Sequence, residues 1–236
     1  MKVRERVLTA KDDGIPGYLA HPERPERGPA LLLVHQNTGV TDYLKIEALK
    51  FAKLGYATAA PALYELLGFP GVTHIHTGRE IQARTSDADF VRVISEGWRY
   101  LLGRSDVDPA RVAVAGYCMG GRIGIHFVAA NPEVRAFVGY YPTVRDEAVT
   151  ELRPRRPWEA ARDIKCPSIV LYGAHDWVTT LPIQERMWEA FRADGQTLEW
   201  HFFPFGGHGF VDPGAVGYQP HIAELAWPLV VDFLAR

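Results

Sequence analysis

Apolar runs of strand length alternate along the chain with longer stretches in which apolar residues recur every three or four positions. Ala30–His35 (ALLLVH), Val112–Gly116, Ala136–Tyr141 and Ser168–Gly173 (SIVLYG) are nearly continuous apolar runs, and Leu198–Phe203 is a last strand interrupted by Glu199 and His201. A half-exposed strand would alternate, so the four continuous runs read as strands buried on both faces of a parallel sheet. Tyr56–Leu63 is a further strand, stopped by Pro61. Between them, Asp87–Leu102 repeats Phe90, Val91, Ile94, Trp98, Leu101 and Leu102 at helical spacing. Tyr43–Leu54, Met119–Ala130, Pro182–Ala193 and Tyr218–Leu234 are predicted helices as well. The opening differs: Arg4–Thr9 and Pro16–His21 flank Lys-Asp-Asp-Gly, which predicts an antiparallel hairpin. Gly68–Thr77 and the charged, proline-containing stretch Thr143–Lys165 read as irregular. Strands alternating with helices predict one α/β domain over residues 1–236, a mostly parallel sheet with helices on both faces.

Composition narrows the function. The 236 residues carry 26 bases and 28 acids, a balance that offers no general field for nucleic acid or anionic membrane. With 47 % hydrophobic and 23 % charged residues the chain is too apolar to be disordered. The polar start MKVRERVLTAKDDG has no apolar core of a signal peptide, and no apolar run approaches the roughly 18 residues of a membrane span. A cytoplasmic monomer or small homo-oligomer is expected. Two cysteines, Cys118 and Cys166, exclude a disulfide scaffold and a thiolate-rich metal site. His74-x-His76 could set two imidazoles on one side of an extended segment, but no matching acid or thiol cluster accompanies it, so a metal site is not expected there.

The candidate chemistry lies in Gly116-Tyr-Cys-Met-Gly-Gly121, between a predicted strand and a predicted helix. A nucleophile at such a sharp strand-to-helix turn needs small neighbours, and the helix N-terminus favours its thiolate. A nucleophile needs a base, and the base an orienting acid. Asp176 follows the strand ending at Gly173, and His208, in Gly-Gly-His-Gly, follows the strand ending at Phe203. Each candidate therefore sits beyond the carboxyl end of a strand, where doubly wound sheets place their sites, in the chain order nucleophile, acid, histidine. His35 and His126 read as packed structural histidines, and Cys166, just before Pro167, as a structural cysteine. The same scaffold could serve a small-molecule binding protein or an acyltransferase, although a binder has no need of all three groups.

Here the sequence resembles the dienelactone hydrolase family of α/β-hydrolases, on GYCMGG, FVGYYP (Phe137–Pro142), LYGAHDWV (Leu171–Val178) and GGHGF followed by Gly217-Tyr218. The resemblance implies an α/β-hydrolase fold and a cysteine-dependent hydrolase of lactones or small esters that uses no metal or organic cofactor. Its triad would be Cys118, His208 and Asp176, with an oxyanion hole from the N–H groups of Met119 and Asn37. Gln36 stands where the family's dienelactone enzymes carry a glutamate that helps activate the thiol. An arginine those enzymes use for the substrate carboxylate is replaced in Val211-Asp212-Pro213, so an anionic substrate is disfavoured. Gln36, Tyr64, Arg84, Tyr141, Trp177 and Phe210 are expected to line the substrate pocket; Arg79 is another source of a cation, and Arg153, Arg155 and Arg156 are further ones, although their segment reads first as a solvated charged loop.

Overall fold

The computed structural model describes residues 1–236, apart from the side chain of Asp194. Eight strands form one sheet: β1 (Val3–Leu8), β2 (Gly17–Pro22), β3 (Gly28–Val34), β4 (Ala57–Pro61), β5 (Val107–Tyr117), β6 (Phe137–Tyr140), β7 (Ser168–Gly173) and β8 (Leu198–Phe203), in the order β1-β2-β4-β3-β5-β6-β7-β8. Strands β3 to β8 pair in parallel, and β2 is antiparallel to both its neighbours. The apolar runs take the buried positions they predict: Leu31, Leu32, Leu33 and Val34 are wholly inaccessible. The first connection departs from a two-residue hairpin turn. Thr9 caps a single helical turn, α1 (Ala10–Asp13), by accepting from the Asp12 N–H, and Gly14 ends it at φ 77°. A capping threonine ahead of two acids outweighs the Asp-Gly signal.

The remaining helices are α2 (Asp42–Lys53), α3 (Leu63–Leu66), α4 (Ile75–Arg84), α5 (Asp87–Leu102), α6 (Met119–Ala130), α7 (Pro157–Ala161), α8 (Leu181–Phe191) and α9 (Pro220–Leu234). Helix α5 starts where Ser86 accepts from the Asp89 N–H, and it buries Phe90, Val93, Ile94, Trp98 and Leu101. Each such side chain contributes roughly 1.5–3 kcal/mol on burial. Helices α5 to α8 pack in succession, while α2 meets α9 through Phe51 and Trp227, 4.9 Å apart. The chain crosses from β3 to β4 in one direction, then from β4 over β3 to β5 in the other. With right-handed crossovers this reversal opens a crevice between the carboxyl ends of β3 and β5. The charged stretch read as irregular contains α7, and α4 begins at the end of the loop Gly68–Thr77 and runs on through residues for which the pattern predicts no element. Helix α4 buries only Gly78 and Ile81, so it carries little apolar signal.

Candidate active site

The crevice holds the three candidate groups. Cys118 ends the turn from β5 into α6 with φ 54° and ψ −116°, a backbone state unfavourable for a side-chain-bearing residue. It is tolerated because the turn is clamped: the Cys118 N–H donates to Tyr140 O at 3.0 Å, and its carbonyl accepts from Arg122 and Thr143. Gly120 is required by contact, since a Cβ there would lie 2.1 Å from the Val34 carbonyl oxygen. The turn projects Sγ to 3.0 Å from His208 Nε2, and His208 Nδ1 lies 2.9 Å from Asp176 Oδ2. The other carboxylate oxygen of Asp176 accepts from the N–H groups of Val178 (2.8 Å) and Thr179 (2.9 Å). The loops after β7 and β8 are laced together by Ala174 N–H to Phe203 O and His175 N–H to Gly206 O, both 2.9 Å. Asp176 is buried and its neighbour His175 exposed, which decides between the two side by side.

Electrostatics follow from this geometry. Burial pushes the Cys118 thiol up, but the His208 charge, hydrogen bonds from His208 and Thr143, and the Met119 N–H outweigh it, so the net shift is downward. Burial pushes His208 down, but the Cys118 sulfur and Asp176 carry it up to about 10. Both shifts run in the direction that favours an imidazolium–thiolate pair. Cys166 is the contrast: burial raises its thiol to about 11, as suits a packed structural cysteine. His35 is buried and held neutral, its value lowered to about 4 by desolvation. Its Nε2 accepts from the Leu63 N–H (3.1 Å), and its Nδ1 lies 2.7 Å from the Gln36 carbonyl. It therefore braces the loop after β3.

That loop brings Asn37 to the cleft beside Cys118. The Asn37 N–H makes no hydrogen bond among the described residues, and Met119 opens α6. Tyr64, buried, sets its hydroxyl 3.3–3.4 Å from Asn37 O, Asn37 Oδ1, Gly78 O and Met119 Sδ. Helix α4 lies against Asn37 at Gly78, where a Cβ would fall 1.8 Å from the Asn37 carbonyl oxygen.

The cleft has a volume of about 350 Å³ and is lined, beside Asn37, Cys118, Thr143 and His208, by groups from α4 and from the segment after β6. Arg79, Arg145, Arg153 and Arg122 face Glu147 as the one acid of this lining. None of the six expected pocket side chains is part of it. Arg84 instead stacks over Phe69 at 4.9 Å. Tyr141 and Phe210 are fully buried behind the imidazole, Tyr141 with its ring 5.1 Å from that of His208. Trp177 is 58 % exposed on the rim, and Tyr64 supports the Asn37 loop from below. Gln36 donates to Asp212. Sequence reading reached Arg79 and Arg153 only as alternative cations and missed Arg122, Thr143 and Arg145, because Thr143–Lys165 carries the charge of a solvated loop and its inward side shows only in three dimensions. His126 packs beside Asp87, 3.6 Å away, with its value lowered to about 4 by burial. His74 and His76 stack on each other at 5.2 Å. Among the described residues no three His, Cys, Asp or Glu side chains gather as a metal would need, and no helix is long and apolar enough to cross a membrane.

A parallel sheet with an elbow after β5 and an acid and a histidine after β7 and β8 defines an α/β-hydrolase. A profile of the dienelactone hydrolase family matches residues 15–236, and the chain belongs to that family of carboxylic ester and lactone hydrolases. It is 32 % identical over 234 residues to a Methylorubrum extorquens protein named "Putative carboxymethylenebutenolidase", covering 98 % of this chain and 80 % of the relative. A Bradyrhizobium protein named "Probable 2-oxo-3-(5-oxofuran-2-ylidene)propanoate lactonase" is 23 % identical, over 89 % of this chain and 84 % of its own. The crystal structure of a "Putative Dienelactone Hydrolase" from Klebsiella pneumoniae superposes with TM-score 0.90 at 26 % identity, covering 100 % of both chains.

Proposed function

We propose that the protein hydrolyses small lactones or esters bearing a carboxylate, with Cys118 as nucleophile, His208 as acid and base, and Asp176 as the group that orients it. The observation that carries this is the chain from Sγ through His208 to Asp176, with links of 3.0 and 2.9 Å, at the head of a cleft. The thiolate attacks the carbonyl carbon, and the N–H groups of Asn37 and Met119 hold the resulting oxyanion. Each such donor contributes about 3 kcal/mol in comparable sites. Collapse breaks the ester C–O bond, and the leaving oxygen takes the proton from His208 Nε2. In a lactone that oxygen stays tethered to the acyl group. Neutral His208 then draws a proton from water, the hydroxide attacks the thioester, and the thiolate leaves as the acid forms. The resting ion pair is restored and one water has been added.

The cleft favours an anionic substrate. Asp212 does not line it, and Arg79 and Arg145 form no ion pair among the described residues, whereas Arg122 is engaged by Asp87. The names of both relatives above specify a lactone carrying a carboxylate. The test is hydrolysis of a carboxylate-bearing lactone and of an activated aryl acetate by wild type and Cys118→Ala. Removal of the sulfur is expected to lower kcat/KM by about 10⁴ or more. Equal rates in the two proteins would overturn the proposal.

A further inference from the structure

The turn after β6 is held more firmly than a surface loop requires, and it ends on the Cys118 sulfur. Tyr141 is fixed at φ 38°. The Pro142 carbonyl accepts from two hydroxyls, Tyr172 (2.7 Å) and Thr179 (2.9 Å). The Thr143 N–H donates to the Cys118 carbonyl at 2.9 Å, and the Val144 N–H donates to Thr179 Oγ1 at 2.9 Å. Thr179 in turn donates its own N–H to Asp176. The turn is thereby tied on one side to the elbow and on the other to the acid loop. The result is a Thr143 Oγ1 only 3.0 Å from Cys118 Sγ, on a residue 8 % exposed. A buried threonine hydroxyl commonly donates to a nearby backbone carbonyl. Among the described residues this one has no hydrogen-bond partner except the sulfur.

We propose that Thr143 is the second side-chain donor that holds Cys118 as a thiolate, its Oγ–H directed at Sγ beside the His208 Nε2–H. An ionised sulfur can only accept, so both contacts become donations to it and both favour the charged form. Gln36 plays no part, because its amide is given to Asp212. The role in catalysis rests on Cys118 being the nucleophile, as proposed above. A better-held thiolate is present at lower pH but is intrinsically less nucleophilic. Loss of the hydroxyl should therefore move the acid limb of the pH–rate profile upward and leave the rate at high pH nearly intact.

The experiment is iodoacetamide alkylation of Cys118 across pH, read at the peptide level so that Cys166 does not contribute. It uses wild type, Thr143→Val, Thr143→Ala and Thr143→Ser, with the pH dependence of kcat/KM measured beside it. Loss of one hydrogen bond to a charged group should raise the alkylation midpoint by about one pH unit in the Val and Ala variants. The Ser variant should stay near wild type, and the acid limb of kcat/KM should move with the midpoint. An unmoved midpoint in Val and Ala, or a Ser variant shifted as far as Val, would overturn the assignment. Alkylation reports on the sulfur whether or not it is the nucleophile. An active Cys118→Ala with a shifted Thr143→Val would thus sink the functional reading alone, and an inactive Cys118→Ala with an unmoved midpoint would sink only the role of Thr143.

Discussion

Gln36 donates its side-chain amide to the carboxylate of Asp212, and so joins the loop after β3 to the loop after β8. Asp212 is buried, and its other oxygen accepts from the Gly214 N–H at 2.8 Å. The contact fixes the residue next to Asn37, so its effect on the proposed oxyanion site passes through the backbone. It also neutralises the chemical role each residue suggests from sequence: Gln36 is no partner of the thiol, and Asp212 presents no charge to the cleft.

The pairing makes Gln36→Glu a substitution of sign-definite effect. Two carboxylates would share the place of an amide and a carboxylate, and the pKa of one must rise. An acid whose folded value lies above its unfolded value loses stability as pH rises past the unfolded value, here about 4.3. The melting temperature of the variant should match wild type near pH 4 and fall below it towards pH 7, by the equivalent of about 2 kcal/mol. Adding Asp212→Asn should restore it. A deficit that does not change with pH would show that the two side chains are not coupled.

The Cys118–His208 pair predicts where activity lies on the pH scale. Its charged form exists above the lowered thiol value and below the imidazole value of about 10. kcat/KM should therefore rise through a value below that of a free thiol and decline only near pH 10. A decline near the ordinary imidazole value of about 6.5 would contradict the ion pair. In His208→Gln the sulfur keeps its burial and loses its cation, so its alkylation midpoint should move above the free-thiol value, slowing alkylation at pH 7 by about tenfold or more.

The arginines of the cleft predict selectivity. Arg145→Ala and Arg79→Ala should each raise KM for a carboxylate-bearing lactone by about tenfold, the equivalent of one charge-assisted contact at a partly exposed site. A neutral ester of similar size should be hydrolysed as before. Added salt should narrow the difference between the two substrates, because exposed charges are screened. If both variants treat the anionic and neutral substrates alike, the cations do not touch the substrate.

The sequence was most legible where a local rule acts alone. Helices α5 and α6 begin and end where periodicity and capping place them, at Asp87–Leu102 and Met119–Ala130. Cys118, Asp176 and His208 were found from glycine spacing and from their positions just beyond apolar runs. The pocket was not found in this way. Arg79 and Arg84 lie on one helix, five residues apart, and so point about 140° apart around its axis. One lines the cleft and the other stacks on Phe69. Phe210, two residues from the histidine in sequence, does not line the cleft either, because it is buried against Tyr141 and Phe203.

By itself, the sequence determined the parallel sheet, the sharp turn at Cys118 and the candidates Asp176 and His208 that come to lie beside it, because each depends on short-range pattern and on the strand ends that a doubly wound sheet turns toward one edge. Only the tertiary structure decided which polar groups meet there. The turn clamped by Tyr172 and Thr179 carries Thr143 to the sulfur, Asp212 claims Gln36, and a segment that reads as solvated loop turns Arg145 and Arg153 into the cleft. Those partnerships join residues distant in the chain, and their geometry is set by packing between elements that no local pattern records.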